Sequence, residues 1–209
     1  MKKIPVIFIL LFFLTQFLFG QTAKQAFKKL SCPEKRWVIF HPFIAKKAFR
    51  LTLLARVASK EMAADSLLDH DENGGQVDAF RHAYWMALLS QNICWRKARG
   101  LGKAHEKGNY IDFKKERTEE GQLSDSISSA MDLYNNEAGI AIGRANKKIS
   151  QEELKMAVRD SVLAGKMVML RKNLSGEALD CNGNVIDTVK YNRQWNIPKC
   201  FVKSDFKGE

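Results

Sequence analysis

The segment Asp78-Ala-Phe-Arg-His-Ala-Tyr-Trp85 concentrates reactive side chains in a short, otherwise apolar stretch. On a helix Asp78 and His82 are four residues apart and share a face, with Arg81 and Trp85 close to it. A carboxylate and an imidazole on adjacent turns can bind one metal ion, or the carboxylate can orient the ring and stabilise its charged form. A local Asp–His hydrogen bond that only helps the helix start is the plainer alternative. Two further segments carry similar groups. Ala104-His105-Glu106 sets a second imidazole beside a carboxylate at a helix end. Asp132-Leu-Tyr-Asn135-Asn136 sets Asp132 and Asn136 four apart, opposite an apolar stripe of Ile127, Met131, Tyr134, Ala138 and Ile142. Gly139 and Gly143 extend near that polar face, where missing side chains let another backbone or a ligand come close.

If the three faces meet, they form one buried polar site. Burying such groups is costly unless they pair or bind a cation. In that site Asp78, His82, His105 and Asp132 are the expected metal ligands and Glu106 the expected general base. Arg81 is expected to hold an anionic group, and Asn135 or Asn136 to position substrate. Mixed imidazole and carboxylate ligands suit zinc, manganese or iron, and such a metal can activate water for hydrolysis. The competing reading is a satisfied hydrogen-bond network that fixes helix register.

A second candidate, Asp69-His-Asp71-Glu-Asn73-Gly74, matches the first half of a calcium loop. Phe80 stands where the closing bidentate Glu belongs, so the segment is expected to cap and feed the Asp78 helix. The chain has no Gly-rich phosphate loop, no His-Glu-x-x-His and no Gly-x-Ser-x-Gly.

These groups need helices to hold them. Pro42 suits the first turn of a helix running from Phe43 to about Ala64. Asp65–Gln76 is an expected loop, Val77 to about Arg99 the next helix, and Gly100-Leu101-Gly102 an expected bend. Residues 108–124 are charged and expected to form an exposed loop or short helix. Ser126–Asn146 and Ser150–Lys172 read as further helices, the latter opened by a Ser150/Glu153 capping box. Asn182-Gly183 suggests a hairpin turn. The expected fold is mainly α: a compact multi-helix domain with a short C-terminal β-hairpin or irregular tail. Residues 1–20 read as a cleaved secretory leader, with Lys2 and Lys3 before an apolar run from Ile4 to Leu14. Residues 21–36 are a loose lead-in, 37–175 the helical domain, and 176–209 a tail packed on the helices.

The expected location is therefore periplasmic or extracellular, with no stable membrane span after cleavage. Beyond the leader, 32 basic residues face 23 acidic ones, a balance that favours an anionic envelope component as partner. The basic residues are spread along the chain and match no nucleic-acid-binding motif. Oligomeric state is left open. After export the four cysteines can oxidise, and the favoured pairing is Cys181 with Cys200 and Cys32 with Cys94.

Over roughly Trp37 to Gly143 the chain resembles a bacterial family described as domain of unknown function 6973. The resemblance rests on Asp78-Ala-Phe-Arg-His-Ala-Tyr-Trp85, Ala104-His105-Glu106, and Met131-Asp132-Leu-Tyr-Asn135-Asn136 with Gly139. It implies a bacterial, often exported, helical domain and no established activity. The order His82, His105-Glu106, Asp132 is also similar to that of metal-dependent phosphohydrolases of the His-Asp type, with Glu106 where that family has Asp. The functional expectation is an exported metal-dependent hydrolase acting on a phosphoester, lipid or other envelope component. Its rivals are a non-catalytic envelope or binding protein and a toxin-like effector.

Overall fold

The computed structural model describes residues 24–118 and 123–207, so the expected leader lies outside the described residues. Among the described residues seven helices are present: α1 (residues 24–29), α2 (Cys32–Phe40), α3 (Pro42–Ala63), α4 (Gln76–Asn92), α5 (Trp95–Lys114), α6 (Ser126–Ala145) and α7 (Gln151–Leu163). Two short antiparallel strands follow, β1 (Val168–Leu170) and β2 (Phe201–Lys203), paired Val168 to Lys203 and Leu170 to Phe201. The mainly helical architecture matches the expectation.

Helix α4 is the axis of the molecule, and α3, α5, α6 and α7 all pack on it. It is buried almost all round, its polar Asp78 and His82 included. On one side Phe80, Tyr84 and Leu88 meet Ala55, Ala58 and Met62 of α3 and Leu154, Val158 and Val162 of α7. On the other, Met86 and Leu89 meet Trp37 of α2, Leu51 of α3, Leu101 of α5 and Ile140 of α6. Each such large side chain contributes about 1.5–3 kcal/mol by leaving water.

Local signals open three helices. Ser31 with Glu34, and Ser150 with Glu153, form complete capping boxes, and the Asp125 carboxylate accepts from the N–H groups of Ile127 and Ser128. Within the expected loose lead-in, residues 24–29 and 32–36 are helical. The stop after α4 falls at Ile93-Cys94, not at the glycines. Asn92 turns its amide onto the Leu88 carbonyl, Ile93 is extended, and Cys94 becomes the N-cap of α5. Gly100 and Gly102 sit inside α5, which continues to Lys114 because Gly108 and Asn109 are buried while Lys103, Lys107 and Lys114 face outward. Helix α7 ends at Leu163 rather than Lys172. Gly165 at φ +69° supplies the left-handed stop, and buried Met167 leads into β1.

The buried face of α6 also differs from the expected stripe. Met131, Asp132, Asn135, Asn136, Gly139, Ile140 and Gly143 face inward, while Tyr134 is half exposed. The reason is the crossing with α4: a Cβ on Gly139 would lie 2.0 Å from the Ala83 carbonyl oxygen, and one on Gly143 2.2 Å from that of Ala87. Backbone, not ligand, fills the space that the glycines leave.

In the tail, the Asn182-Gly183 turn forms as expected, with Gly183 at φ +88° and Asp180 N–H donating to the Asn184 carbonyl. Leu179 and Val185 make only an isolated bridge. Cys181 and Cys200 are joined by a disulfide, whereas Cys32 and Cys94 are exposed free thiols, which corrects the second expected pairing. Among the described residues no helix is long and apolar enough to cross a membrane.

Candidate metal centre

The α4–α6 crossing brings Asp78, His82 and Asp132 together. Nε2 of His82 lies 3.5 Å from Asp78 Oδ1 and 3.5 Å from Asp132 Oδ1. One ligand atom from each of the three buried residues falls within 4.8 Å of the other two. Ligand atoms held about 2.0–2.2 Å from a tetrahedral ion stand roughly 3.3–3.6 Å apart, so the two 3.5 Å edges have the right length for a shared cation.

The protonation state also fits. Burial, followed by the nearby charges of Arg81 and His105, holds the His82 imidazole well below its usual range, with Asn136 opposing this weakly. The ring is therefore neutral at physiological pH and keeps a lone pair for a metal. Its Nδ1 is buried without a hydrogen-bond partner of good geometry, as is the Asn136 amide. Asn136 thus acts on the ring by proximity rather than through an aligned bond.

Asp78 is held from two directions. Gly74 N–H donates to Oδ2 at 2.7 Å, and Arg81 Nη2 donates to Oδ1 at 2.6 Å. The same guanidinium nitrogen is 3.5 Å from His82 Nε2. Arg81 and a bound cation would therefore share one carboxylate oxygen and compete for it.

A polar cleft of about 50 Å³ opens beside these residues, room for a few water molecules. Asp78, Arg81 and Asp132 line it together with Asn109, Ser129 and Lys199. Lys199 arrives from the tail and donates to Asp125 Oδ2 at 2.7 Å. Asn109, Ser129 and Lys199 escaped the sequence reading. Their types are ordinary in loops and helices, and nothing local marks Lys199 as a neighbour of α6.

The other expected site residues are placed as follows. His105 lies near the centre, its ring centroid 6.2 Å from that of His82, but outside the three-residue group. Its Nδ1 contacts Glu34 Oε1 at 3.1 Å and its ring meets Trp85 edge-on. Burial alone would raise the Glu34 carboxyl, but the His105 hydrogen bond and charge and the Ser31 hydroxyl and N–H outweigh it and hold the group below its usual range. Glu106 is buried one side chain behind the cleft, where it accepts from Asn109 Nδ2 at 3.3 Å. Asn135 does not line the cleft. Its Nδ2 donates to the Val168 carbonyl at 2.8 Å and its Oδ1 accepts from the Val168 N–H at 3.0 Å, which fastens β1 to α6.

The half-matched calcium loop is spent on itself. Asp69 accepts from the N–H groups of Asp71 and Gln76, Asp71 accepts from Asn73, and the Lys172 ammonium sits on Asp71 and the Asn73 carbonyl, where a cation would lie. A larger open groove of about 610 Å³ runs along this loop, but these bonds occupy its carboxylates and the metal-type cluster lies elsewhere.

No curated protein and no solved structure matches the chain. The sequence profile described as a domain of unknown function (DUF6973) matches residues 35–166, well over half of the chain, and the chain belongs to that family.

Proposed function

We propose that this protein is an exported metal-dependent hydrolase acting on a phosphoester-type group of a cell-envelope component. The observation that carries the reading is the convergence of Asp78 Oδ1 and Asp132 Oδ1 on Nε2 of one buried, neutral histidine, each at 3.5 Å. A divalent ion held by Asp78, His82 and Asp132 would supply Lewis-acid activation for hydrolysis. Arg81 and Lys199 give the adjoining cleft two cations for an anionic group. Asn109, steadied by Glu106, offers an amide for orientation. The small cleft admits the reacting group and leaves the body of the substrate outside. The Cys181–Cys200 disulfide supports an oxidising compartment.

A second reading treats the cluster as a structural network, and the Arg81–Asp78 bond favours it. Metal analysis separates the two. The purified chain, incubated with zinc, manganese or iron and dialysed, is compared with His82→Ala/Asp132→Ala. Near-stoichiometric metal in the parent and none in the variant supports the hydrolase reading and directs a phosphoester screen. Parent protein that retains no metal removes the reading and leaves the network. Arg81→Gln sharpens the comparison: loss of a competing charge raises cation affinity if a metal binds there, and only destabilises the fold if none does.

A further inference from the structure

The junction of α2 and α3 carries a separate feature. Helices α2 and α3 meet in a sharp elbow with one residue, His41, between them. Ile39 and Phe40 end α2 and Phe43 sits in the first turn of α3, so all three project from the same corner. They are 65%, 68% and 99% exposed. Isolated exposed apolar residues are ordinary, but three large ones within five positions form a patch.

The elbow is rigidly seated. His41 Nδ1 contacts the Trp37 carbonyl at 2.8 Å, and its ring packs against the Trp37 ring at a tilt of 32° with centroids 4.7 Å apart. Trp37 is itself buried and donates its indole N–H to the Lys97 carbonyl at 3.0 Å. The apolar corner is thus held out into solvent by the core behind it. The chain on either side of it is cationic: residues 35–60 contain seven Lys or Arg and no Asp or Glu, the flanking carboxylates being Glu34 and Glu61. Arg36 stacks over the Phe40 ring, and Lys46, Lys47 and Arg50 are exposed on α3 directly behind Phe43.

We infer that this elbow docks on an anionic lipid bilayer surface, with Ile39, Phe40 and Phe43 entering the interface and the basic collar meeting lipid head groups. A one-signed collar around an apolar tip fits a surface that is anionic outside and apolar beneath. The inference is independent of the metal centre and survives its failure.

Co-sedimentation of the full chain with phosphatidylcholine vesicles, with and without phosphatidylglycerol, tests it. Binding is expected only with phosphatidylglycerol and should weaken as salt rises. Phe40→Ser/Phe43→Ser should lower partitioning by about tenfold or more, since it removes the inserted apolar area. Replacing Lys46, Lys47 and Arg50 with Gln should lower it by about fivefold per charge. All these side chains are exposed, so the far-ultraviolet circular dichroism of each variant should match the parent. Because parent and variant share the rest of the chain, the difference isolates the elbow. Equal binding to neutral vesicles overturns the inference, as does undiminished binding by Phe40→Ser/Phe43→Ser. Self-association that this variant abolishes, without vesicle binding by the parent, would instead identify a second copy of the chain as the occupant.

Discussion

His82 on α4 and Asp132 on α6 face each other across 3.5 Å at the crossing where Gly139 and Gly143 rest on the carbonyls of Ala83 and Ala87. The glycines set the helix separation, and the separation sets the distance between imidazole and carboxylate. Packing and candidate chemistry are therefore coupled through two residues that have no side chains.

Gly139→Ala should break both together. Its Cβ would sit 2.0 Å from a backbone oxygen that cannot rotate away, so the helices must part. The expected cost is about 1–3 kcal/mol or more in urea unfolding, with loss of bound metal. Gly100→Ala is the control. Its Cβ meets only the Trp37 indole at 3.4 Å, and the gain in helix propensity should make it neutral or stabilising by about 0.5–1 kcal/mol. Equal behaviour of the two variants would separate the crossing from the site.

The buried His82 makes stability depend on pH in a defined direction. Its folded pKa lies below the ordinary 6.5, so between those values the unfolded chain binds a proton that the folded chain does not. Stability from this group is complete above about pH 6.5 and falls as pH drops below it, by up to about 1.4 kcal/mol per unit. Urea midpoints of the metal-free protein from pH 5 to 8 should show this slope, and His82→Gln should flatten it. A slope unchanged in the variant would assign the effect to another group.

Asn135→Ala should act on the fold rather than on chemistry. It strips both partners from the Val168 peptide in a buried place, at a cost of about 2–4 kcal/mol. Metal content should persist wherever the variant stays folded. Metal loss in a folded Asn135→Ala protein would show that the side chain reaches the site after all.

Thiol chemistry should distinguish the two cysteine pairs. A thiol reagent should label two groups in the native chain, Cys32 and Cys94, and four after reduction. Cys94 should react faster, because the backbone N–H groups of Arg96 and Lys97 at the start of α5 lower its pKa. Reducing Cys181–Cys200, which closes a loop of 19 residues, should cost about 3 kcal/mol in a Cys32→Ser/Cys94→Ser background.

Much of this molecule is written in short-range pattern. The capping boxes, the Pro42 helix start, the Asn182-Gly183 turn, the Asp69–Gly74 cap and the Asp78/His82 face each depend on residues within a few positions of one another. Local backbone geometry alone dictates them. The suggestion that three polar clusters converge also needed only the periodicity of helices, and two of the three segments supply the buried group.

Other outcomes depended on packing between distant segments. That α5 runs through Gly100 and Gly102 follows from Gly102 lying against Met86 and Asn136, which a propensity scale scores only as a penalty. Asn135 and Asn136 look equivalent in sequence, yet a rotation of one residue along α6 gives the first to the Val168 backbone and the second to His82. His105 turned toward Glu34, a residue of the supposed lead-in, and Lys199 reached the cleft from the tail. Residue identity and spacing determine which groups can form helices, caps and turns, because those interactions close within one or two turns of chain. Which of two polar side chains meets a buried histidine and which a strand is settled by how the helices cross, and that depends on every contact in the core at once.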